Sequence, residues 1–291
     1  MKSVWLGALA TSIALLLPIS AQAMPNRALN PADLQAMNGI FIGGGVVHQH
    51  YTEWSRDLPN ASTIADPLDQ EHGNLSMFRI LIAHRFPGTG GWGSIRYDFI
   101  KGHTDYIGHT QAGVPLDTTT ANTMDDLRLR VGRPFALTDN LDLLPFLEGG
   151  YFRWDRAIGN GTPAALEELY TNGYAGGGAR ALYALSPRLV LSSTVDVGSI
   201  FAAGMEIINP LNGTTKLGPH LYAGLAFQAT LRVYGHWHLF ARAAYRYFGY
   251  GISNRFLVQK NLGNTFLQGV AYEPNSTTGQ IRTAIGVSYH F

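Results

Sequence analysis

Polar and apolar residues alternate along most of this chain, most cleanly at its C-terminal end. Ile281, Thr283, Ile285, Val287, Tyr289 and Phe291 take one parity; Gln280, Arg282, Ala284, Gly286, Ser288 and His290 take the other. Successive strand side chains point to opposite faces, so one face here is apolar and the other polar or small. The pattern recurs at 221–233, 237–247, 189–198 and 126–132. It predicts ten strands, at about 39–52, 74–86, 92–104, 123–135, 141–155, 170–185, 188–202, 219–233, 236–250 and 280–291. Most are longer than the five or six residues usual in globular sheets and exceed the roughly 9–11 that a tilted membrane-spanning strand needs.

The connections alternate too. Short turns follow the second, fourth, sixth and eighth strands, at 87–91, 136–140, 186–187 and 234–235. Long segments rich in Asn, Thr, Asp, Gly and Pro fill 53–73, 105–122, 156–169, 203–218 and 251–279. All short turns then lie at one end and all long loops at the other. The polar parity carries arginine and glycine, which a soluble β-core would not bury. In hydrocarbon every backbone N–H and C=O needs a partner, so strands cross only as a closed barrel. The predicted class is all-β: a transmembrane antiparallel up-and-down barrel of about ten strands. Eight strands with two external hairpin extensions is the alternative.

Aromatic residues fall near strand ends. Phe86, Trp92, Phe135, Tyr183, Trp237, Tyr289 and Phe291 are expected to ring one side, and Tyr51, Trp54, Tyr106, Trp154 and Phe201 the other.

The N-terminus has its own logic. Lys2, an apolar run from Val4 to Leu17, Pro18 and the small-x-small Ala21-Gln22-Ala23 read as a cleaved secretory signal peptide over 1–23. Residues 24–38 are expected to be a short periplasmic leader, read as a disordered tail; Pro31-Ala32-Asp33 offers one helical turn, and a lumen plug is the alternative. The barrel with five long external loops fills 39–291. The 291 residues hold 21 basic and 20 acidic side chains, so nothing in the charge favours nucleic acid. The absence of cysteine excludes disulfides and thiolate chemistry.

With these features assembled, the chain resembles bacterial outer-membrane β-barrel proteins. The terminal Ile285-x-Val287-x-Tyr289-x-Phe291 is similar to the signature read by the barrel assembly machinery. The resemblance implies residence in the outer membrane among lipid and lipopolysaccharide. It extends to the size class of ten-stranded omptin proteases and opacity-type adhesins, without matching the sequence of either.

Parity puts Arg79, Arg96, Arg128, Arg130, Arg180, Arg232, Arg242, Arg246 and Arg282 in the lumen with Asp98, Asp126, Glu148 and Asp196. Two readings follow: a salt-bridged filling, or a narrow path with an anion preference for small solutes. His48, His50, His103 and His109 are weak metal candidates near the outer rim, and no metal or cofactor is predicted. Asp125-Asp126 with His103 and Asp105 supply the residue types of an omptin-like rim hydrolase, but no second pair faces them. Gly251-Ile252-Ser253-Asn254 lacks the histidine that a barrel deacylase would place before its serine. The leading reading is a non-enzymatic surface protein, either a narrow channel or a structural and adhesive barrel. The long last loop, apolar at Phe256, Leu257, Val258, Val270 and Tyr272, is expected to fold over the mouth or to bind an extracellular ligand.

Overall fold

The computed structural model describes residues 28–57, 66–109, 114–162, 165–209, 211–261 and 266–291. The expected signal peptide, 1–23, and residues 24–27 lie outside them. Ten long strands make the wall: β1 (Gly39–Trp54), β2 (Asp69–Phe86), β3 (Gly91–His109), β4 (Pro115–Gly132), β5 (Leu141–Ile158), β6 (Leu166–Ser186), β7 (Leu189–Asn209), β8 (His220–Tyr234), β9 (Trp237–Tyr250) and β10 (Asn275–Tyr289). Each pairs antiparallel with its chain neighbours, and β10 returns to β1 with Ile40 opposite Tyr289 and Trp54 opposite Asn275. The sheet is therefore closed, and no edge is left in the wall.

The tight turns need unusual backbone. Gly235, between β8 and β9, has φ +51°, a left-handed conformation that favours glycine. The turns and both ends of the barrel chain lie at one mouth. At the other mouth the strands run further than the loop chemistry suggests. β2 begins at 69 rather than 74, β4 at 115 rather than 123, and β7 ends at 209 rather than 202.

Burial follows parity around the wall. Ile281, Ile285 and Val287 are exposed on the outside, whereas Gln280, Arg282, Ala284 and Ser288 are buried inside. Ile40, Ile42, Val46, Phe78, Ile82, Ile95, Leu127, Leu129, Val131 and Leu147 continue an outward apolar band. Water would penalise such a surface, and hydrocarbon would not. Phe86, Phe135, Tyr183, Trp237, Tyr289 and Phe291 ring its short-turn edge. Of the expected outer ring, Phe201 is exposed on the outside, but Tyr51, Tyr106 and Trp154 share the lumen parity and are buried inside. Trp92 is likewise inside, its Nε1 donating to the Met37 carbonyl at 2.9 Å.

Residues 28–38 do not trail away as a disordered leader. Helix α1 (Pro31–Met37) sits in the short-turn mouth, with Asn30 as N-cap accepting from the Ala32 N–H at 2.9 Å and Pro31 opening the helix. Ala36 and Met37 pack on Ala83, Trp92, Leu144, Leu182 and Val190.

Candidate functional site

The lumen is filled at three levels. The middle level, inside the apolar band, is a network of charge. Arg79 forks onto Asp98 at 2.6 and 2.8 Å. Arg96 lies 3.2 Å from both Asp98 and Asp126. Arg282 reaches the same two carboxylates at 3.3 and 3.4 Å, and Arg246 donates to Asp126. On the other side, Arg130 bridges Glu148 at 2.7 Å and Asp196 at 2.9 Å, with Arg128 beside both. Tyr174 donates to Asp126 at 2.7 Å and Tyr222 to Glu148 at 2.6 Å, joining the halves. Glycines give these rings room: a Cβ on Gly198 would lie 2.5 Å from the Tyr222 ring, and one on Gly150 would collide with Tyr174.

The network is unbalanced. Eight guanidiniums (Arg79, Arg96, Arg128, Arg130, Arg180, Arg242, Arg246, Arg282) face four carboxylates (Asp98, Asp126, Glu148, Asp196). Arg180 reaches only Ser192 at 3.1 Å, and Arg242 has no hydrogen-bond or ion-pair partner among the described residues.

The upper level reverses the sign. Arg156, fully buried, donates to Glu53 at 3.2 Å, Glu71 at 2.6 Å and Glu168 at 2.9 Å. Its guanidinium stacks 4.2 Å above the Tyr51 ring, near Trp154 and Tyr170. Asp69 and Glu273 are buried in the same layer; Tyr106 donates to Asp69 at 3.1 Å. Tyr170 Oη lies 2.5 Å from Glu273 Oε1. Burial holds the Glu273 carboxyl well above its usual range, and Glu53 and Glu168 push the same way.

Glu273 belongs to the last long loop. That loop forms a hairpin, Phe256–Asn261 against Phe266–Ala271, bridged at Gln259 to Asn212 of the loop before β8. Phe256 and Val258 join the buried cluster of Met205, Ile207, Leu217, Trp154 and Tyr170. The loop thus folds over the mouth, and Leu257 and Val270 face outward from it.

The lower level is α1. Its Gln35 carbonyl contacts His290 Nδ1, and His290 stacks on His238 at 3.8 Å between ring centroids. Burial, then His238, lowers the His290 pKa to about 4. Arg232 reaches Gln35 at 3.4 Å. Asp33 is fully buried, facing Asp142, and both Asp33 oxygens lack hydrogen-bond partners among the described residues. Burial, reinforced by the Asp142 carboxyl, pushes the Asp33 pKa up to about 7.

A closed wall of ten antiparallel strands, apolar outside and charged inside, admits few architectures. The fold is that of the bacterial outer-membrane β-barrels. The outer membrane protease OmpT from Escherichia coli superposes with a TM-score of 0.57 at 10% identity, covering 88% of this chain and 97% of that one. The translocator domain of the autotransporter NalP from Neisseria meningitidis aligns less closely, with a TM-score of 0.42 at 11% identity over 98% and 97% of the two chains. No family model matches, and no curated protein matches. The likeness is one of fold alone.

All thirteen lumen candidates point inward, with Arg232 at the lower rim rather than in the network. Ile285, Val287, Tyr289 and Phe291 lie on the outward face. The histidines do not converge. His48, His50 and His103 are exposed on the outer wall, His48 pairing with Asn74 at 3.0 Å. Among the described residues no group of three His, Asp or Glu is placed to hold a metal. The rim-hydrolase set also separates. Asp126 is locked in the network, while its neighbour Asp125 faces out toward Tyr97 at 2.5 Å and Arg153 at 3.5 Å. Adjacent strand residues cannot share a face. His103 and Asp105 face outward as well. The upper acids Glu53, Asp69, Glu71, Glu168 and Glu273 and their partner Arg156 are absent from the sequence-derived set. Extending lumen parity past the expected strand ends finds all but Glu273.

A concavity of about 790 Å³ lies on the outward wall among Gly44, Val46, Phe227, Ala243, Thr283 and Ile285. It is a mostly apolar dent in the band, and the charge network touches it only at Arg242.

Proposed function

We propose that this chain is a closed surface barrel of a bacterial outer membrane, non-enzymatic, acting through its external face. The observation that carries this reading is the lumen, crossed by a lid hairpin, a charge network and a plug helix. A salt-bridged filling, rather than a narrow anion path, fits that arrangement. The exposed Leu257 and Val270 on the lid give an extracellular ligand an apolar foothold. Around the band the partners are outer-membrane lipid and lipopolysaccharide; export through the 1–23 segment and delivery by the barrel assembly machinery, reading the C-terminal signature, complete the picture.

Planar-bilayer recording of the refolded protein tests the closed lumen. Silence from a folded, heat-modifiable barrel is expected. Discrete conductance steps with anion preference would restore the channel reading. A rim hydrolase is less well supported, because its candidate residues face opposite sides of the wall.

A further inference from the structure

Between the charge network and α1 lies a void of about 50 Å³. Arg79, Arg96, Arg128, Arg130, Arg180 and Arg242 all line it. Guanidinium does not lose its proton at any physiological pH. Four of these six spend their charge on the carboxylates described above. Arg242 has no hydrogen-bond or ion-pair partner among the described residues, and its Nε is buried without a hydrogen bond; Arg180 hydrogen-bonds only Ser192, with Asp33 of α1 as the opposite charge near it. A buried charge left unpaired is strongly destabilising. The layer as a whole carries eight cations against four anions at bilayer depth.

We propose that this void is an anion-binding site, holding one small inorganic anion, chloride or a single tetrahedral oxyanion such as phosphate. Three features select that class. The lining is cationic and rich in N–H donors, and Phe41, Trp92, Phe146 and Phe240 close the rest of the wall. A void of this size replaces a few waters at about 10–15 Å³ each, and is far below the roughly 300 Å³ of an organic-solute pocket. Its floor is shared with the plug, since Trp92 and Leu144 line the void and also pack on α1. The anion then acts as a counter-ion built into the filling: it cancels guanidinium charge that the four carboxylates of the layer leave over, next to the seat of α1. This holds whether or not the external face binds a partner.

Equilibrium dialysis of the refolded, full-length mature barrel against labelled chloride and labelled phosphate tests the proposal. Saturable binding of one anion per barrel is expected. Arg242→Gln and Arg180→Gln should each weaken it about tenfold or more, as loss of one charge-assisted hydrogen bond implies. Arg188→Gln, at the exposed β6–β7 turn, should leave it unchanged. In a parallel melt at constant ionic strength, chloride should raise the Tm above that in gluconate, an anion too large for the void. Should one glutamine variant fail to give a heat-modifiable barrel, the other and the wild-type measurement still decide. Absence of saturable binding to the wild-type barrel overturns the site. So does equal binding by wild type and a folded glutamine variant.

Discussion

The middle and upper layers of the lumen solve opposite problems. In the middle, inside the apolar band, eight arginines face four carboxylates. Above the band, one arginine faces five carboxylates: Glu53, Asp69, Glu71, Glu168 and Glu273. An excess of buried carboxylate can be relieved by taking up protons; an excess of guanidinium cannot be relieved by losing them. The upper layer is therefore adjustable by pH, and the middle layer must find its compensation in another ion. Chemistry of the side chain, more than count of charges, decides how each layer stays buried.

The contrast is broken most directly at its most connected carboxylate. Asp126→Asn strips a charge from Arg96, Arg246 and Arg282 together and should cost about 3–5 kcal/mol, nearly independent of pH. Urea midpoints at pH 5.5 and 8 measure both halves of that statement. Arg156→Met removes the only cation of the upper layer among the described residues. The loss should be smaller, about 2 kcal/mol at pH 5.5 and larger at pH 8, because the orphaned carboxylates can protonate at the lower pH. Equal losses at the two pH values would erase the distinction between the layers.

Asp33 carries the same logic to the lower mouth. Its pKa is raised in the folded state, so below its ordinary value near 3.8 the helix seat is fully stable, and stability falls as pH rises toward about 7. Asp33→Asn should remove that slope and stabilise the barrel at pH 8 by about 1–2 kcal/mol, below the roughly 4 kcal/mol ceiling set by the rise from 3.8 to about 7. Protease accessibility of residues 28–38 against pH reads the seat itself. Glu273→Gln should act in the same direction on the lid. The raised Glu273 carboxyl keeps a proton that the unfolded chain releases, so stability falls with rising pH and the glutamine flattens the fall. A gain of about 1 kcal/mol at pH 8 is expected.

Most of the wall is legible in the sequence, because a period of two survives any local detail. Arg282 and Ile281 declare their faces without help from tertiary structure. The upper site is less legible for a specific reason. Glu71 and Asp69 keep the parity of Leu75 and Met77, but Asn74, Gly73 and His72 look like loop chemistry and hide the continuing strand. Glu273 is beyond any periodicity, since the last loop folding back over the mouth brings it there. Helix α1 is too short for a 3.6-residue pattern; only Asn30-Pro31 signals its start. Trp92 and Trp154 show the converse error: their place near strand ends suggested an interfacial ring, and parity, which puts them inside, is the better guide.

The seam of the wall carries a temporal consequence. Ile40 is hydrogen-bonded into register beside Tyr289, so the first strand, paired with β2 on one edge, waits for the last before its other edge is satisfied. Hairpins between neighbouring strands can form as soon as their turns exist, but enclosure is a single late event spanning nearly the whole chain, with the loop-closure entropy that entails. Until then both ends of the sheet are open templates, and the arginines of the unfinished interior are wet. Zipping the seam and drying the lumen are, for this molecule, one step.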